Sequence, residues 1–169
     1  MSADVIQNVA KAAWTVIKDG EPSVDINGST ANAVPQVDDW QALAGARGPM
    51  TTWMSWQKPV SWPWDDYVFV DFKILLKFDY GATYRGGGAF IPNIWIEVPT
   101  CYAGWSWNVN IGITVRNPTN ANPTQAGMPP APIARVPVTV SGTVSTYEQL
   151  HHIEWGFTLF GTGNWTRDT

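Results

Sequence analysis

Between residues 67 and 80 the segment YVFVDFKILLKFDY puts Val68, Val70, Phe72, Ile74, Leu76, Phe78 and Tyr80 on one parity and Asp71, Lys73, Lys77 and Asp79 on the other. A period of two residues predicts a long strand with one buried face. The segment WSWNVNIGITV repeats the pattern, with Trp105, Trp107, Val109, Ile111, Ile113 and Val115 inward and Ser106, Asn108, Asn110 and Thr114 opposite. VPVTVSGTV turns Val136, Val138, Val140 and Val144 inward, HHIEWGFTLF does the same with His151, Ile153, Trp155, Phe157 and Leu159, and STYEQ between them reads as a hairpin loop. SVDIN, MTTWMSW and NIWIEV are shorter strand candidates. Seven or more strands, separated by Gly, Pro and Asn turns with no helices among them, predict an antiparallel β-sandwich whose clearest strands fall within 50–161.

Before that run the period is different. Ile6, Val9, Ala10, Ala13, Trp14 and Ile17 recur at helical spacing, Asp4 opens the segment, and Asp19 and Gly20 close it, which predicts one amphipathic N-terminal helix over 4–17. The Asp-Gly pair also fits a hairpin in the same place. No fixed-period repeat or interdomain linker is visible, so residues 1–169 read as a single domain, long enough to bury a core without disulfides or metals. The Pro-rich segment NPTNANPTQAGMPPAP, 117–132, joins two strands and is long enough to be mobile or functional.

Composition adds a constraint on the surface. Charged residues make up 14% of the chain while tryptophan occurs 11 times, so much of the exterior must be neutral or aromatic. A net charge of −4, with ten scattered Lys and Arg, argues against a nucleic-acid partner, which would need clustered basic residues. Cys101 is the single cysteine; it excludes an internal disulfide and reads as a small buried hydrophobe. The N-terminal stretch lacks the basic start and apolar run of a secretory signal, and no segment is apolar for the length of a bilayer span. The expectation is a protein made in soluble form in the cytoplasm without a signal peptide, any release being by a non-classical route.

Parity divides the tryptophans. Trp105, Trp107 and Trp155 fall on inward faces and read as core filler. Trp53, Tyr67, Phe69 and Trp95 fall opposite the aliphatic positions of their own strands, so something should cover them: the N-terminal helix, a partner, or a second copy of the chain. Trp62 and Trp64 sit between Pro59, Pro63 and the pair Asp65 and Asp66, where the prolines are expected to prevent ladder pairing and place KPVSWPWDD in a loop or an edge. Loop indoles beside carboxylates suit a sugar, which stacks on the ring and donates hydroxyls to the acids, or the headgroup level of a bilayer. The same rings could fold back to plug the end of the sandwich. The aspartates disfavour an anionic membrane and favour a sugar or a zwitterionic lipid.

An amphipathic N-terminal helix ahead of an aromatic-rich antiparallel sandwich without a cysteine framework resembles the architecture of actinoporin-like cytolysins and of the fungal lectins that share it. The resemblance is one of arrangement and carries no site residue over to this chain.

Signals for chemistry are weak by comparison. On a strand, His151 and His152 point to opposite faces, which leaves His152 and Glu154 as two metal ligands without a third. YRGGGAF has three glycines but no Lys-Ser/Thr and no following helix, so it reads as a turn rather than a phosphate cradle. The adjacent carboxylates Asp38 with Asp39 and Asp65 with Asp66 do not make the separated acid and base of sugar hydrolysis. The expectation is a non-enzymatic protein without cofactor or metal, toxin-like or lectin-like. It would bind membrane lipid or glycan through Trp62, Trp64, Asp65 and Asp66 and associate with further copies of itself. The rivals are a self-assembling structural subunit and an enzyme.

Overall fold

The computed structural model describes residues 23–27, 31–33, 43–62, 65–104, 106–121 and 131–168. Eleven strands occupy most of this length: β1 Ser23–Asn27, β2 Ala31–Ala33, β3 Arg47–Trp62, β4 Asp65–Tyr80, β5 Ala82–Tyr84, β6 Gly87–Ala103, β7 Asn108–Val115, β8 Thr119–Asn120, β9 Ala134–Ser145, β10 Leu150–Phe160 and β11 Trp165–Arg167. The described residues contain no helix. The helix expected over 4–17, Trp105, expected as core filler, and the centre of the Pro-rich loop lie outside them.

The strands form two sheets. One runs β2-β6-β4-β3, with β5 attached to β6; the other runs β1-β7-β9-β10-β11, with β8 attached to β9. All the strand pairs are antiparallel except β1 on β7. Most of the inward positions read from the sequence are buried: Val70, Phe72, Ile74, Leu76 and Phe78 from β4 meet Val109 and Ile111 from β7, Val136, Val138, Val140 and Val144 from β9, and Ile153, Trp155, Phe157 and Leu159 from β10 in a single apolar cluster, while Val68, Tyr80, Ile113, Val115 and His151 near the strand ends are half-buried. Phe72 of one sheet meets Trp155 of the other edge to face, centroids 6.5 Å apart.

The β2-β6-β4-β3 sheet departs from regular alternation in places where proline sits. Lys58 pairs with Val70 but Pro59 pairs with Val68, so Phe69 is an extra residue in β4. Lys73 pairs with Thr100 but Leu75 with Glu97, so Val98 and Pro99 of β6 share one place opposite Ile74. A third shift, between Arg47 and Met50, contains Pro49. Proline has no N–H to give a ladder, and a bulge or an edge is where a sheet tolerates that loss. Pro59 has both, since β3 is the last strand of its sheet. The prolines therefore do not prevent ladder pairing as expected: the stretch from Lys58 to Trp62 is a paired edge strand, with Pro63 and Trp64 between β3 and β4 in the chain.

Candidate ligand-binding end of the molecule

Register decides which turns are neighbours. β4 starts and β3 ends at the pair Trp62 and Asp65; β6 ends toward the same side but short of this point, with Ala103 on Val70. The chain crosses to the other sheet through Gly104–Trp107 and starts β7 at Asn108, which pairs with Ser145 of β9, itself paired with Leu150 of β10. β1 enters beside the same place, Ser23 on Asn108. One end of the molecule thus gathers the β3–β4 tip, the β6–β7 crossing, the β9–β10 turn and the entry of the N-terminal segment. The β8 strand and the Pro-rich segment emerge at the opposite end, near Tyr80 and Phe160.

Each turn has a local cause. Thr146 organises the β9–β10 turn: its N–H donates to the Gln149 carbonyl at 2.8 Å, and its Oγ1 accepts from the Glu148 and Gln149 N–H groups at 3.2 and 3.1 Å. Such side-chain bonds to the backbone hold the turn closed, and at its tip Tyr147 is 101% exposed, with Leu150 at 59%. In the β6–β7 crossing the Gly104 N–H donates to the Phe69 carbonyl at 2.7 Å and the Trp107 N–H to the Gly104 carbonyl at 3.1 Å, while Ser106 adopts a left-handed φ of 66°. A side chain on Gly104 would meet the Phe69 carbonyl at 3.2 Å and its ring at 3.3 Å, so glycine is what lets Phe69 lie there.

Beneath the turns is an aromatic floor. Phe69 stacks on Trp107 at 6.3 Å, Trp107 stacks on His151 at 6.2 Å and 16°, and His151 touches Trp56 at 5.6 Å. Trp56 in turn stacks on Phe72 at 6.0 Å. The His151 Nε2 is buried and has no hydrogen-bond partner among the described residues. The floor joins the two sheets, Trp56, Phe69 and Phe72 from one and Trp107 and His151 from the other.

The residues expected to form a site fall into two places. Trp62, Asp65 and Asp66 belong to the final pairs of the hairpin, Trp62 on Asp65 and Ser61 on Asp66; their side chains, that of Tyr67 and the whole of Trp64 lie outside the described residues. Trp53 and Trp95 are on the outer face of the first sheet. Trp53 is 60% exposed and carries the Lys73 ammonium 5.1 Å from its ring centre. Trp95 donates through Nε1 to Glu97 at 3.1 Å, and Glu97 also accepts from Lys77 at 2.6 Å. Hydrogen bonds from Lys77, then Trp95, hold the Glu97 carboxyl below the ordinary range. Phe69 belongs with neither group, because the extra residue in β4 brings its ring onto the core at Trp107.

Tyr147 and Leu150 were not singled out by the sequence pattern. The signal available was a tyrosine at the centre of a predicted turn, where an aromatic ring has little to pack on. Charge is also distributed unevenly: the stretches 60–67, 103–108 and 145–150 hold Asp65, Asp66 and Glu148 and no Lys or Arg.

Other polar groups do not converge on chemistry. Among the described residues no three His, Cys, Asp or Glu side chains gather where they could hold a metal ion. His152 and Glu154 instead line a shallow depression of about 440 Å³ on the outer face of the second sheet, with Asn110, Gly112, Ser141 and Thr143. Burial, and after it the charge of Asp71, pushes the Cys101 thiol up and away from the reactive thiolate form. Arg85 and Gly86 form the turn between β5 and β6, with left-handed φ at both and at Gly88 near the start of β6. No protein-family model, curated protein or solved structure matches the chain.

Proposed function

We propose that this chain is a non-enzymatic surface-binding protein that attaches through its aromatic end to a membrane lipid or a glycan, as a small cytolysin or lectin does. In this reading the two sheets are a β-sandwich, the N-terminal segment is a short amphipathic helix, and Trp62, Trp64, Asp65 and Asp66 contact the ligand. The observation that carries the proposal is that the β3–β4 hairpin, with its final pair of Trp62 and Asp65, and the β9–β10 turn that presents Tyr147 and Leu150 point toward the same end of the two sheets, beyond an aromatic floor. Amphipathic rings at the tips of a stiff scaffold suit an interface that is apolar on one side and wet on the other. Acidic side chains and the lack of basic ones in those turns favour a neutral or zwitterionic surface.

The test is flotation of the protein with phosphatidylcholine vesicles, with dye release recorded in parallel and a glycan panel probed with the same sample. Retention on one of the two surfaces, with a blue shift of tryptophan emission on vesicles, is the expected result. Retention on neither rejects the proposal.

A second reading has its own observation. β3 is a sixteen-residue strand at the margin of its sheet with Trp53 exposed on it, and long bare edges are templates for pairing with another chain. Self-association is therefore proposed alongside surface binding.

A further inference from the structure

We propose that β3 is the self-association surface, and that two copies of the chain join by antiparallel pairing of their β3 strands about a two-fold axis at Met54. The proposal names the surface used in the self-association reading above and rests on it; it is independent of the lipid or glycan.

β3 pairs with β4 on one side only, and no other described strand lies beside it. Its register is unbroken from Met50 on Phe78 to Lys58 on Val70, and a bulge interrupts it at each end. From Met50 to Gln57 this run has no charge and no proline. Edge strands that stay single are usually protected by lysines, prolines, bulges or shortness. Here the prolines and bulges stand at the two ends of the run and leave its centre unprotected.

The occupant follows from the shape and charge of that run. An uncharged edge attracts no charged peptide but meets its own copy without repulsion, and a segment bounded symmetrically by bulges matches itself in length when the partner runs antiparallel. A two-fold interface of this kind is self-complementary by construction. With the axis at Met54, Trp53 comes opposite Ser55 of the second copy, Thr52 opposite Trp56, Thr51 opposite Gln57 and Met50 opposite Lys58. On the outer face each exposed indole then rests beside a small hydroxyl side chain.

A second observation supports the same edge. A groove of about 480 Å³ opens between the sheets there, lined by Thr51 to Ser55 of β3 and by Trp155, Trp165 and Arg167. Trp165 is 38% exposed. At the opposite margin the chain passes from β1 in one sheet to β2 in the other, whereas the β3 margin faces only the three-residue β11. A second copy on β3 would cover the groove and shield Trp165 at its edge.

Light scattering after gel filtration, on the full chain without lipid or sugar, tests the proposal. The expected mass is twice the 18.6 kDa of one chain, falling to one chain for Ser55→Lys with unchanged circular dichroism. In a Cys101→Ser background, the pair Trp53→Cys with Ser55→Cys should give a dimer on oxidation that thiols release, because directly opposed residues on adjacent antiparallel strands are within disulfide reach. A wild-type monomer at every concentration overturns both this proposal and the self-association reading. An assembly that survives Ser55→Lys and does not cross-link through the cysteine pair leaves self-association standing and overturns β3 as its surface.

Discussion

Phe69 stacks on Trp107 with centroids 6.3 Å apart and planes 27° from parallel, although alternation along β4 would put it on the face opposite Phe72. The cause is the single extra residue in β4 between its pairings with Lys58 and Pro59. A bulge of this kind re-aims a side chain without ending the strand. The contact seals one end of the core and ties the β6–β7 crossing to β4, and so sets where the candidate end sits.

Phe69→Ala should therefore destabilise the fold as an inward residue does, by about 2–3 kcal/mol, somewhat less than the about 3–5 kcal/mol expected for Phe72→Ala at full burial. Ile111→Ala, also fully buried, should cost about 2–5 kcal/mol. Denaturant midpoints compared with wild type measure all three. A Phe69→Ala protein as stable as wild type would mean the ring is a surface group and the register at the bulge is wrong.

Two glycines on neighbouring strands should respond in opposite ways. A Cβ on Gly142 would lie 2.3 Å from the Asn110 carbonyl oxygen, and backbone cannot move aside cheaply; on Gly112 it would meet nothing within 4 Å. Gly142→Ala is expected to cost about 1–3 kcal/mol or more, whereas Gly112→Ala should be neutral or slightly stabilising because it restricts the unfolded chain. Thermal melts of the two variants side by side decide the matter.

The outer face of the first sheet makes a pH prediction. The Glu97 carboxyl titrates below the ordinary range because Lys77 and Trp95 both donate to it. Its folded value is thus lower than its unfolded one, so the stability it contributes is complete above the unfolded value and is lost as pH falls through the folded one. The contribution is small, since the pair is exposed to water and salt. Carboxyl NMR titration of wild type against Lys77→Met should show the Glu97 midpoint rise toward the ordinary range in the variant. An unmoved midpoint would show that the ion pair does not form in solution.

At the candidate end, Tyr147→Ala, Trp62→Ala and Trp64→Ala should each weaken binding to vesicles or glycan by about thirtyfold, which corresponds to roughly 2 kcal/mol for a contact-centre aromatic. Tyr147 is wholly exposed, so its melting temperature should not change. Loss of several degrees in the Trp62 and Trp64 variants, with binding retained, would assign those indoles to plugging the end of the fold.

Alternation by itself determined β4, β7, β9 and β10 and their inward faces, whereas β3 and β6 run well beyond the short segments MTTWMSW and NIWIEV that it marked. Val70 to Phe78, Val109 and Ile111, Val136 to Val144 and Ile153 to Leu159 are buried as their parity requires, because a strand's side chains alternate whatever its partner is. The turns at STYEQ and YRGGGAF were legible for a related reason, since capping threonines and glycines act through their own backbone. What only the tertiary structure decided is non-local. An extra residue such as Phe69, or the pair Val98 and Pro99, exists only relative to the strand opposite, and no pattern within one segment records it. The same holds for the gathering of Trp62, Asp65, Trp107, Tyr147 and Leu150 at one end, and for β3 being an edge. Each depends on which strands pair and in what register, and that is set by how two sheets jointly close one apolar core.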